Sequence, residues 1–482
     1  MQRSYDSDFR VNGVAVNGGN PLTIAYDMDG YVVSAGDMTL TRDASTGLVA
    51  GTSLDKITES FTYNSFGELT QYTAAGPGGA LMAQAYTRDK LGRVTDTSET
   101  IGGATTAWHY GYDAAGRLTS VDKGGAAAAR YTYDANGNRT QVTASGTTET
   151  AAYDAQDRLA TRGAIAYQFA ATGELSQTAA AGQQTQYQYD ALGNLRRVLL
   201  PGGTEIRYVV DGENRRTGKL VNGTLAKGFV YQDSLRPAAE LDGSGNLVSL
   251  FVYGDTTLAP LYFVKGGVKY RILVDRIGSP RLVVNSITGA IAQRIDYDAF
   301  GGVTADSNPG FQPFGFAGGL YDPDTGLVRF GARDYDASAG RWTAKDPKGL
   351  AGGDTNLYAY VGNDPVNHLD PRGADSDDDT LAPLGPAPAP DPLPTLAPLG
   401  PGIGFDGPLA PLGPGFDLND PSSFLNFLPL APLVPPAPAK NSGNKVPCNK
   451  PRIIWVKLGN DPWMPWYVTP TAAWPANPMG PW

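Results

Sequence analysis

The side chains that could carry chemistry in this sequence are carboxylates. The 482 residues include two histidines and one cysteine: His109, His368 and Cys448. This scarcity argues against histidine-based catalysis and a multi-histidine metal site, and a lone cysteine rules out an intramolecular disulfide framework. Aspartates, by contrast, recur as Asp-Pro steps between residues 321 and 373: Asp322, Asp346, Asp364 and Asp370. Two carboxylates at close range cannot both ionise easily, so one can act as a base toward water and the other as an acid.

Residues 321–373 are broken by these Asp-Pro steps into short pieces. Proline fixes its own φ and pushes the preceding residue toward an extended conformation, so a segment interrupted this often cannot form one long helix or strand. We expect turns and short strands that fold into a compact plug, called the plug segment below. Its predicted apolar filling is aromatic: Phe330, Tyr335, Trp342, Tyr358 and Tyr360. The simplest interpretation of the Asp-Pro aspartates is that they form turns.

A short repeat precedes the plug segment and organises the rest of the chain. Its theme is a tyrosine, an aspartate or asparagine, two variable residues, a glycine, and then a polar and an apolar residue. Clear copies begin at Tyr26, Tyr63, Tyr112, Tyr133, Tyr153 and Tyr189, and degenerate copies begin at Arg88, Phe169 and Val210. Between Tyr63 and Val210, equivalent positions fall 16 to 25 residues apart. Such self-similarity marks a stacked array of one supersecondary unit.

Each unit predicts a β-hairpin. Paired aromatics such as Tyr131 and Tyr133 alternate at period two, which places both rings on one face of a strand. Aspartate, asparagine and glycine then supply the turn, because they bond locally to the backbone or tolerate positive φ. We therefore expect an all-β fold, in which stacked antiparallel hairpins form one spiralling sheet to about residue 320 with the tyrosines as its inter-strand core. A role of the tyrosines in binding sugars or peptides is the alternative.

The charge and hydropathy of the chain argue against several classes of protein. The 38 basic and 48 acidic residues give a net charge of −10 without a basic run, so no nucleic-acid footprint is visible. No run of about 18 apolar residues exists to span a membrane. The N-terminal stretch MQRSYDSDFR has no apolar core, so it is not a signal peptide of the Sec type. No cofactor and no metal site is predicted.

The repeated units, together with the stretches at 275–281 and 297–301, resemble the Rhs/YD-repeat family of bacterial polymorphic toxins. This family also includes the C components of Tc toxin complexes and is similar to the shell of teneurins. Residues 321–373 resemble the Rhs repeat-associated core domain. The resemblance implies that a ribbon of hairpins spirals into a hollow cocoon, which the core domain closes at one end and which encloses a C-terminal toxin. Complete cocoons use far more repeats, so we expect a partial or small shell here.

The resemblance also implies a cleavage site. In many family members the core domain cuts the chain after an Asp-Pro-x-Gly-Leu sequence, using aspartates and a supporting arginine. That motif falls on residues 370–373, with Ala374 in place of leucine, so the implied cut lies between Gly373 and Ala374. The implied site residues are Asp346 as a catalytic carboxylate, Asp370 (or else Asp354 or Asp364) as its partner, and Arg333 and Arg341 to orient or polarise the scissile carbonyl.

The chain is predicted to have four parts. Residues 1–320 form the repeat shell, and residues 321–373 form the plug, which is also the implied autoprotease. Residues 374–450 are a proline-rich, low-complexity linker with a recurring Leu-Ala-Pro-Leu, for which polyproline II or disorder is expected. Residues 451–482 are rich in tryptophan and proline and begin with a strand. The region after Gly373 lacks histidine and glutamate, so a docking segment is favoured over a toxic enzyme.

Three functions follow from these predictions. The first is a scaffold that encloses or presents its own C-terminal segment and cuts itself after the plug. The second is a structural or adhesive repeat protein, extracellular or at the cell surface, without catalysis. The third is a toxin with a divergent enzymatic tail. The expected partners are the chain's own C-terminal segment and a secretion apparatus or cell-surface ligand. The expected location is secreted or at the cell surface, reached by a non-Sec route or through an upstream segment.

Overall fold

The computed structural model describes residues 1–16, 18, 19, 21–254 and 258–374, and the backbone of two short strands near the C-terminus. Strands β1 to β10 are Gln2–Tyr5, Val11–Ala15, Leu22–Tyr26, Val32–Ala35, Met38–Arg42, Val49–Leu54, Ile57–Tyr63, Leu69–Gly76, Gly79–Arg88 and Val94–Ile101. Strands β11 to β20 are Ala104–Tyr112, Leu118–Lys123, Ala126–Tyr133, Arg139–Ala144, Thr147–Tyr153, Leu159–Arg162, Ile165–Phe169, Leu175–Ala180, Gln183–Tyr189 and Leu195–Leu199.

Strands β21 to β30 are Glu205–Val210, Arg216–Val221, Thr224–Tyr231, Pro237–Asp242, Leu247–Val252, Tyr262–Lys265, Val268–Val274, Pro280–Asn285, Ile291–Tyr297 and Val303–Asp306. Strands β1 to β30 form one 30-stranded sheet, the repeat sheet, in which consecutive strands pair antiparallel. The prediction of an all-β fold built from stacked hairpins is therefore confirmed. The described part of the chain includes no helix with the length and hydropathy that a membrane span requires.

The plug segment and the C-terminal region contain the remaining elements. Strands β31 to β34 are Leu320–Asp322, Leu327–Phe330, Arg333–Asp336 and Arg341–Trp342, and they form a separate four-stranded sheet. Single 3₁₀ turns lie at Phe316–Gly318, Gly349–Gly352 and Val361–Asn363. The chain divides into two units, Met1–Thr395 and Leu396–Trp482. In the second unit, β35 (Arg452–Val456) pairs antiparallel with β36 (Met464–Val468). The predicted linker at 374–450 lies almost wholly outside the described residues.

An aspartate side chain closes most of the repeat turns. In the copy at Tyr112, Oδ1 of Asp113 accepts the backbone N–H groups of Ala115 and Arg117 at 2.9 and 3.0 Å. Oδ2 of the same carboxylate accepts from Nε of Arg117 at 2.7 Å. Equivalent aspartate–arginine pairs close four other turns: Asp6–Arg10, Asp89–Arg93, Asp154–Arg158 and Asp211–Arg215. This local bonding explains why the repeat specifies both residue types four positions apart.

The repeat tyrosines join each hairpin to the one before it. The hydroxyl of Tyr133 donates to the carbonyl oxygen of Leu118, in the preceding unit, at 2.6 Å. The same contact recurs from Tyr26 to Val11, Tyr63 to Val49, Tyr112 to Val94, Tyr153 to Arg139, Tyr231 to Arg216 and Tyr253 to Pro237. Burial raises the pKa of Tyr133, as expected for a ring packed between strands. The tyrosines therefore hold neighbouring hairpins together, as the repeat predicts.

Replacing Tyr133 by Phe should lower the free energy of unfolding by about 1 kcal/mol, because the carbonyl of Leu118 loses its partner in a largely buried site. The matched control is Tyr5→Phe, since Tyr5 is 53% exposed in an outer strand. The difference between the two variants in urea unfolding measures the contact. Equal stabilities would show that the tyrosine hydroxyls do not stabilise the stack.

The last strands of the repeat sheet pack against the first ones. Arg271 in β27 forms a two-point ion pair with Glu59 in β7, with Nε–Oε2 at 2.6 Å and Nη2–Oε1 at 2.9 Å. Arg281 in β28 pairs in the same way with Glu99 in β10. Apolar clusters surround these pairs: one joins Val32, Met38 and Leu54 to Val252 and Tyr262, and another joins Ile57 and Met82 to Leu273 and Leu282. The sheet thus doubles back, and packed side chains fill the space between these strands.

Candidate functional site

The plug segment is built around stacked aromatic rings. Phe330, Tyr335, Trp342 and Tyr360 are each at most 2% exposed, and the centroids of the Tyr335 and Tyr360 rings lie 4.3 Å apart. Phe316 joins them from the preceding 3₁₀ turn. Four of the five rings that the sequence analysis predicts for the plug core lie in this cluster, whereas Tyr358 packs edge-on against Phe169 of the repeat sheet. The Trp342 ring of this cluster packs against the charged residue Arg333, described next.

Arg333 is the hub of those charged residues. It begins β33, and its side chain is 4% exposed. Nη2 of Arg333 lies 2.8 Å from Oδ2 of Asp346 and 3.0 Å from Oδ2 of Asp370. Its guanidinium lies 4.1 Å from the centroid of the Trp342 ring, which fixes the plane of the group. The fold therefore brings together both aspartates and one of the two arginines that the resemblance implies.

The same side chains bracket the implied cleavage site. Nε of Arg333 donates to the carbonyl oxygen of Gly373 at 2.6 Å. The backbone N–H of Ala374 donates to Oδ1 of Asp370 at 3.2 Å. One peptide bond, Gly373–Ala374, thus has a cation at its carbonyl oxygen and a carboxylate at its nitrogen. We call Arg333, Asp346, Asp370 and this peptide bond the Arg333 site.

Close backbone packing places the peptide bond there. The N–H of Ala332 donates to the carbonyl oxygen of Arg372 at 2.8 Å, which ties the end of the plug segment to the turn before β33. Gly373 has a φ of 61°, and a Cβ at this position would lie 2.4 Å from the carbonyl oxygen of Phe330. No L-residue side chain fits such an approach to backbone, so glycine is required on the carbonyl side of the bond.

Asp346 and Asp370 differ in their surroundings. The Asp370 side chain is 1% exposed, whereas that of Asp346 is 8% exposed and so lies nearer to solvent. The backbone N–H of Asp346 donates to the carbonyl oxygen of Leu357 at 3.0 Å, and its Oδ1 accepts from the N–H of Lys348 at 2.7 Å. Both carboxylates are therefore held in place, and one guanidinium serves the two of them.

This arrangement has the parts that peptide hydrolysis needs. A buried guanidinium at the carbonyl oxygen can stabilise the negative charge that develops there when water adds. A pair of carboxylates that shares a proton can supply a base toward water and an acid toward the departing nitrogen.

Arg341 lies in a different network. Its guanidinium donates to Oδ1 of Asn138 at 2.8 Å and to the carbonyl oxygen of Asp157 at 2.5 Å, both in turns of the repeat sheet. It also donates to Oδ1 of Asn356 at 3.3 Å. Three neutral oxygens thus hold this cation, and burial lowers the pKa of Arg341. These contacts attach the plug segment to the repeat sheet. The arginine that donates to the carbonyl oxygen of Gly373 is Arg333.

The alternative carboxylates, Asp354 and Asp364, accept hydrogen bonds from nearby asparagines. Asp364 accepts from Nδ2 of Asn367 at 2.9 Å and lies beside His368, and burial raises the pKa of Asp364. Oδ1 of Asp354 accepts the backbone N–H of Asn356 at 2.8 Å. Asp346 and Asp370 are both in contact with Arg333.

Sequence reasoning missed the polar residues that seat the plug segment. Arg329, which is 4% exposed, donates to Asp334 at 3.0 Å and to Asn194 at 2.6 Å. Arg216 of the repeat sheet donates to the same Asp334 at 2.7 Å. One sequence signal could have indicated where the plug segment contacts the repeat sheet. Four residues after the repeat aspartate, Asn138 and Asn194 stand where other copies have arginine.

The fold and this site define a class of protein: a β-hairpin repeat sheet with an aromatic plug on which a charged cluster contacts the chain's own backbone. A family model described as Teneurin YD-shell matches residues 1–366. The chain therefore belongs to the teneurin YD-shell family, and the predicted relationship to Rhs/YD-repeat proteins is confirmed.

Individual relatives and solved structures agree with this assignment. Teneurin-3 of Danio rerio is 32% identical over 302 residues, which cover 58% of this chain and 11% of that protein. The tRNA3(Ser)-specific nuclease WapA of Bacillus spizizenii is 31% identical over 195 residues, 39% of this chain and 8% of that protein. The crystal structure of TcdB2-TccC3-Cdc42 matches with a TM-score of 0.56 at 17% identity, over 80% of this chain and 22% of that chain. The chain thus spans about a tenth of the length of these curated relatives.

Proposed function

We propose that this chain is a YD-shell scaffold that presents its own C-terminal segment and cuts the bond between Gly373 and Ala374. The observation that supports cleavage is the Arg333 site, where one guanidinium contacts both aspartates and the carbonyl oxygen of the bond to be cut. A purely structural turn does not need two carboxylates on one buried arginine. The greater exposure of Asp346 than of Asp370 supports different roles for the two carboxylates.

In this proposal Asp346, the carboxylate nearer to solvent, takes a proton from water as the water oxygen bonds to the carbonyl carbon of Gly373. Arg333 stabilises the oxyanion through its Nε–H. Asp370, in its protonated form, delivers a proton to the nitrogen of Ala374 as the carbon–nitrogen bond breaks. The products are a carboxylic acid at Gly373, which ionises, and an amine at Ala374, which takes up that proton. Transfer of the proton from Asp346 to Asp370 restores the starting state.

The presented segment is everything after Gly373. We propose that it docks through its apolar leucines and tryptophans, either to the chain's own shell or to a partner. The first relatives and structures that the chain resembles are named as teneurins and as TcdB2-TccC3 assemblies, which supports a role outside the cell. We therefore propose a secreted or cell-surface location, with a secretion apparatus or a surface ligand as further partner.

Intact-mass spectrometry of the purified full chain over time tests the cleavage. The expected result is the loss of the 482-residue species and the appearance of two fragments that end at Gly373 and begin at Ala374. Fragments with other ends would indicate a contaminating protease. A chain that stays intact on prolonged incubation would overturn the proposal of cleavage.

The alternative function is a structural or adhesive scaffold without catalysis. The packed clusters between the first and last strands favour it, because they make this part of the sheet a solid support and not a container. Under this alternative the Arg333 site fixes the end of the plug segment through the contact between Arg333 and Gly373, and the chain remains whole.

A further inference from the structure

The repeat turns carry a second, inter-hairpin contact that the arginine provides. In several copies, the arginine four residues after the aspartate places its guanidinium over the tyrosine ring of the next hairpin. Four such pairs are Arg10–Tyr26 at 4.7 Å, Arg93–Tyr112 at 4.7 Å, Arg117–Tyr133 at 4.9 Å and Arg215–Tyr231 at 5.6 Å. The arginine thus closes its own turn and also stabilises the stack through a cation–π contact.

Three copies have asparagine at this position, and the plug segment contacts two of these residues, Asn138 and Asn194. Asn138 and Asn194 are 1% and 2% exposed. The side chain of Asn138 donates to its own Asp134 at 3.0 Å, which preserves the turn. It is too short, however, to reach the next tyrosine ring, that of Tyr153. At this place the guanidinium of Arg341 lies 4.7 Å from the ring centroid of Tyr153. That separation equals those of the repeat's own pairs, so Arg341 takes the position of the repeat arginine.

The second asparagine is used in a similar way. Nη2 of Arg329 donates to Oδ1 of Asn194 at 2.6 Å and to the carbonyl oxygen of Asn214, in the turn of the next hairpin, at 3.3 Å. Here the following hairpin has Val210 where tyrosine would stand, so the arginine bridges two turns without a ring. In both cases an arginine of the plug segment inserts where a repeat arginine has been exchanged for asparagine.

These two contacts lie on either side of the Arg333 site. Arg329 is in β32 and Arg341 is in β34, while Arg333 begins β33 between them. Arg341 is followed directly by Trp342, the ring beneath Arg333. Arg329 bonds Asp334, the neighbour of Arg333. The small sheet that carries Arg333 is therefore held on the repeat sheet through β32 and β34, the two strands that flank β33.

We propose that Asn138 and Asn194 are sockets, turns in which asparagine replaces arginine so that an arginine of the plug segment seats there, and that they are positioning residues for the Arg333 site. The positioning role rests on the proposed cleavage, whereas the seating does not. Asn246 provides the internal comparison: it has the same place in its turn and donates to Asp242 at 3.0 Å, but it is exposed.

The test fills a socket with the residue that the repeat normally has. Asn138→Arg places a second guanidinium beside the buried Arg341, so the two cations repel and Arg341 must leave. The matched control is Asn246→Arg, which adds the same side chain at the same turn position in a surface site. Amide hydrogen exchange across the full-length chain reports seating. We expect exchange in β33 and β34 to be about tenfold faster in Asn138→Arg than in the control.

A double variant separates this mechanism from simple misfolding. In Asn138→Arg with Arg341→Ala, exchange in β33 should equal that of Arg341→Ala alone, because the seating contact that the new arginine disrupts is then already absent. Exchange in β1 to β12 serves as the check that the repeat sheet itself is folded. Equal exchange in Asn138→Arg and Asn246→Arg would overturn the sockets, and so would a double variant whose exchange equals the sum of the single effects.

The cleavage rate provides the second readout. We expect Asn138→Arg to slow the cut by about tenfold or more, since a displaced β33 moves Arg333 away from the carbonyl of Gly373. Faster exchange with an unchanged rate would leave the seating but overturn the positioning role. If the wild-type chain does not cut itself, the proposed function fails, and the exchange comparison still decides whether the sockets exist.

Discussion

The Asp370→Asn variant should leave the bond between Gly373 and Ala374 intact, with cleavage slowed about a thousandfold or more. Asparagine has the shape of aspartate, so Oδ1 can still accept the N–H of Ala374. It cannot, however, hold or release the proton that the departing nitrogen needs. Asp346→Asn should have an effect of similar size because it removes the base, and the double variant should be no slower than either single one, since the groups act as a unit.

The matched control for these variants is Asp336→Asn. Asp336 lies in the same strand as Arg333, and its carboxylate accepts backbone N–H groups from Ser338 and Ala339, which an asparagine can also do. This variant should cut at close to the wild-type rate. Rates are measured by intact mass over time at one protein concentration, with thermal melting to confirm folding. Cutting of Asp370→Asn at the rate of the control would exclude Asp370 from the reaction.

The second large effect concerns stability and the pair between Arg271 and Glu59. Arg271→Met should lower the free energy of unfolding by about 3 to 5 kcal/mol, because Glu59 would remain as a buried charge without its cation. Both side chains are at most 5% exposed, so water cannot replace the missing partner. Thr52 and Tyr72 also donate to this carboxylate, at 2.5 and 2.6 Å, but neither brings a positive charge.

Two further variants make this prediction specific. Glu59→Gln combined with Arg271→Met removes both charges, so most of the lost stability should return. Arg130→Met breaks a pair with Asp122 in which the side chains are 44% and 29% exposed, and it should change stability by less than about 1 kcal/mol. Urea unfolding of the four chains provides the comparison. A loss in Arg271→Met no greater than that in Arg130→Met would show that the first and last strands do not depend on this pair.

Much of the fold could be predicted because the repeat acts locally. In most repeat turns an aspartate accepts hydrogen bonds from residues two and four positions ahead, and in seven copies a tyrosine hydroxyl donates to the hairpin directly before it. Such contacts need no knowledge of distant parts of the chain. The aromatic filling of the plug segment was predictable for a similar reason, since large rings in a turn-rich segment have no other apolar surface to cover.

The candidate site was predictable only in part. The sequence presents Arg333 and Arg341 as equivalent, since both lie in the plug segment between the Asp-Pro steps at Asp322 and Asp346. The structure gives them different partners. Arg341 contacts Asn138 and Asp157 in the repeat sheet, whereas Arg333 contacts Gly373 at the end of its own segment. No periodicity or turn chemistry distinguishes two arginines that differ only in what lies opposite them.

The amino-acid sequence by itself determined the hairpins, their order and the contacts between successive units, because aspartate turns and tyrosine bonds act over about 20 residues. Tertiary structure decided that β27 meets β7 through Arg271 and Glu59, and that β32 and β34 seat on Asn194 and Asn138. These contacts join residues more than 100 positions apart. They depend on how the twist of many strands accumulates and on which buried charges find partners, and both are properties of the packed chain as a whole.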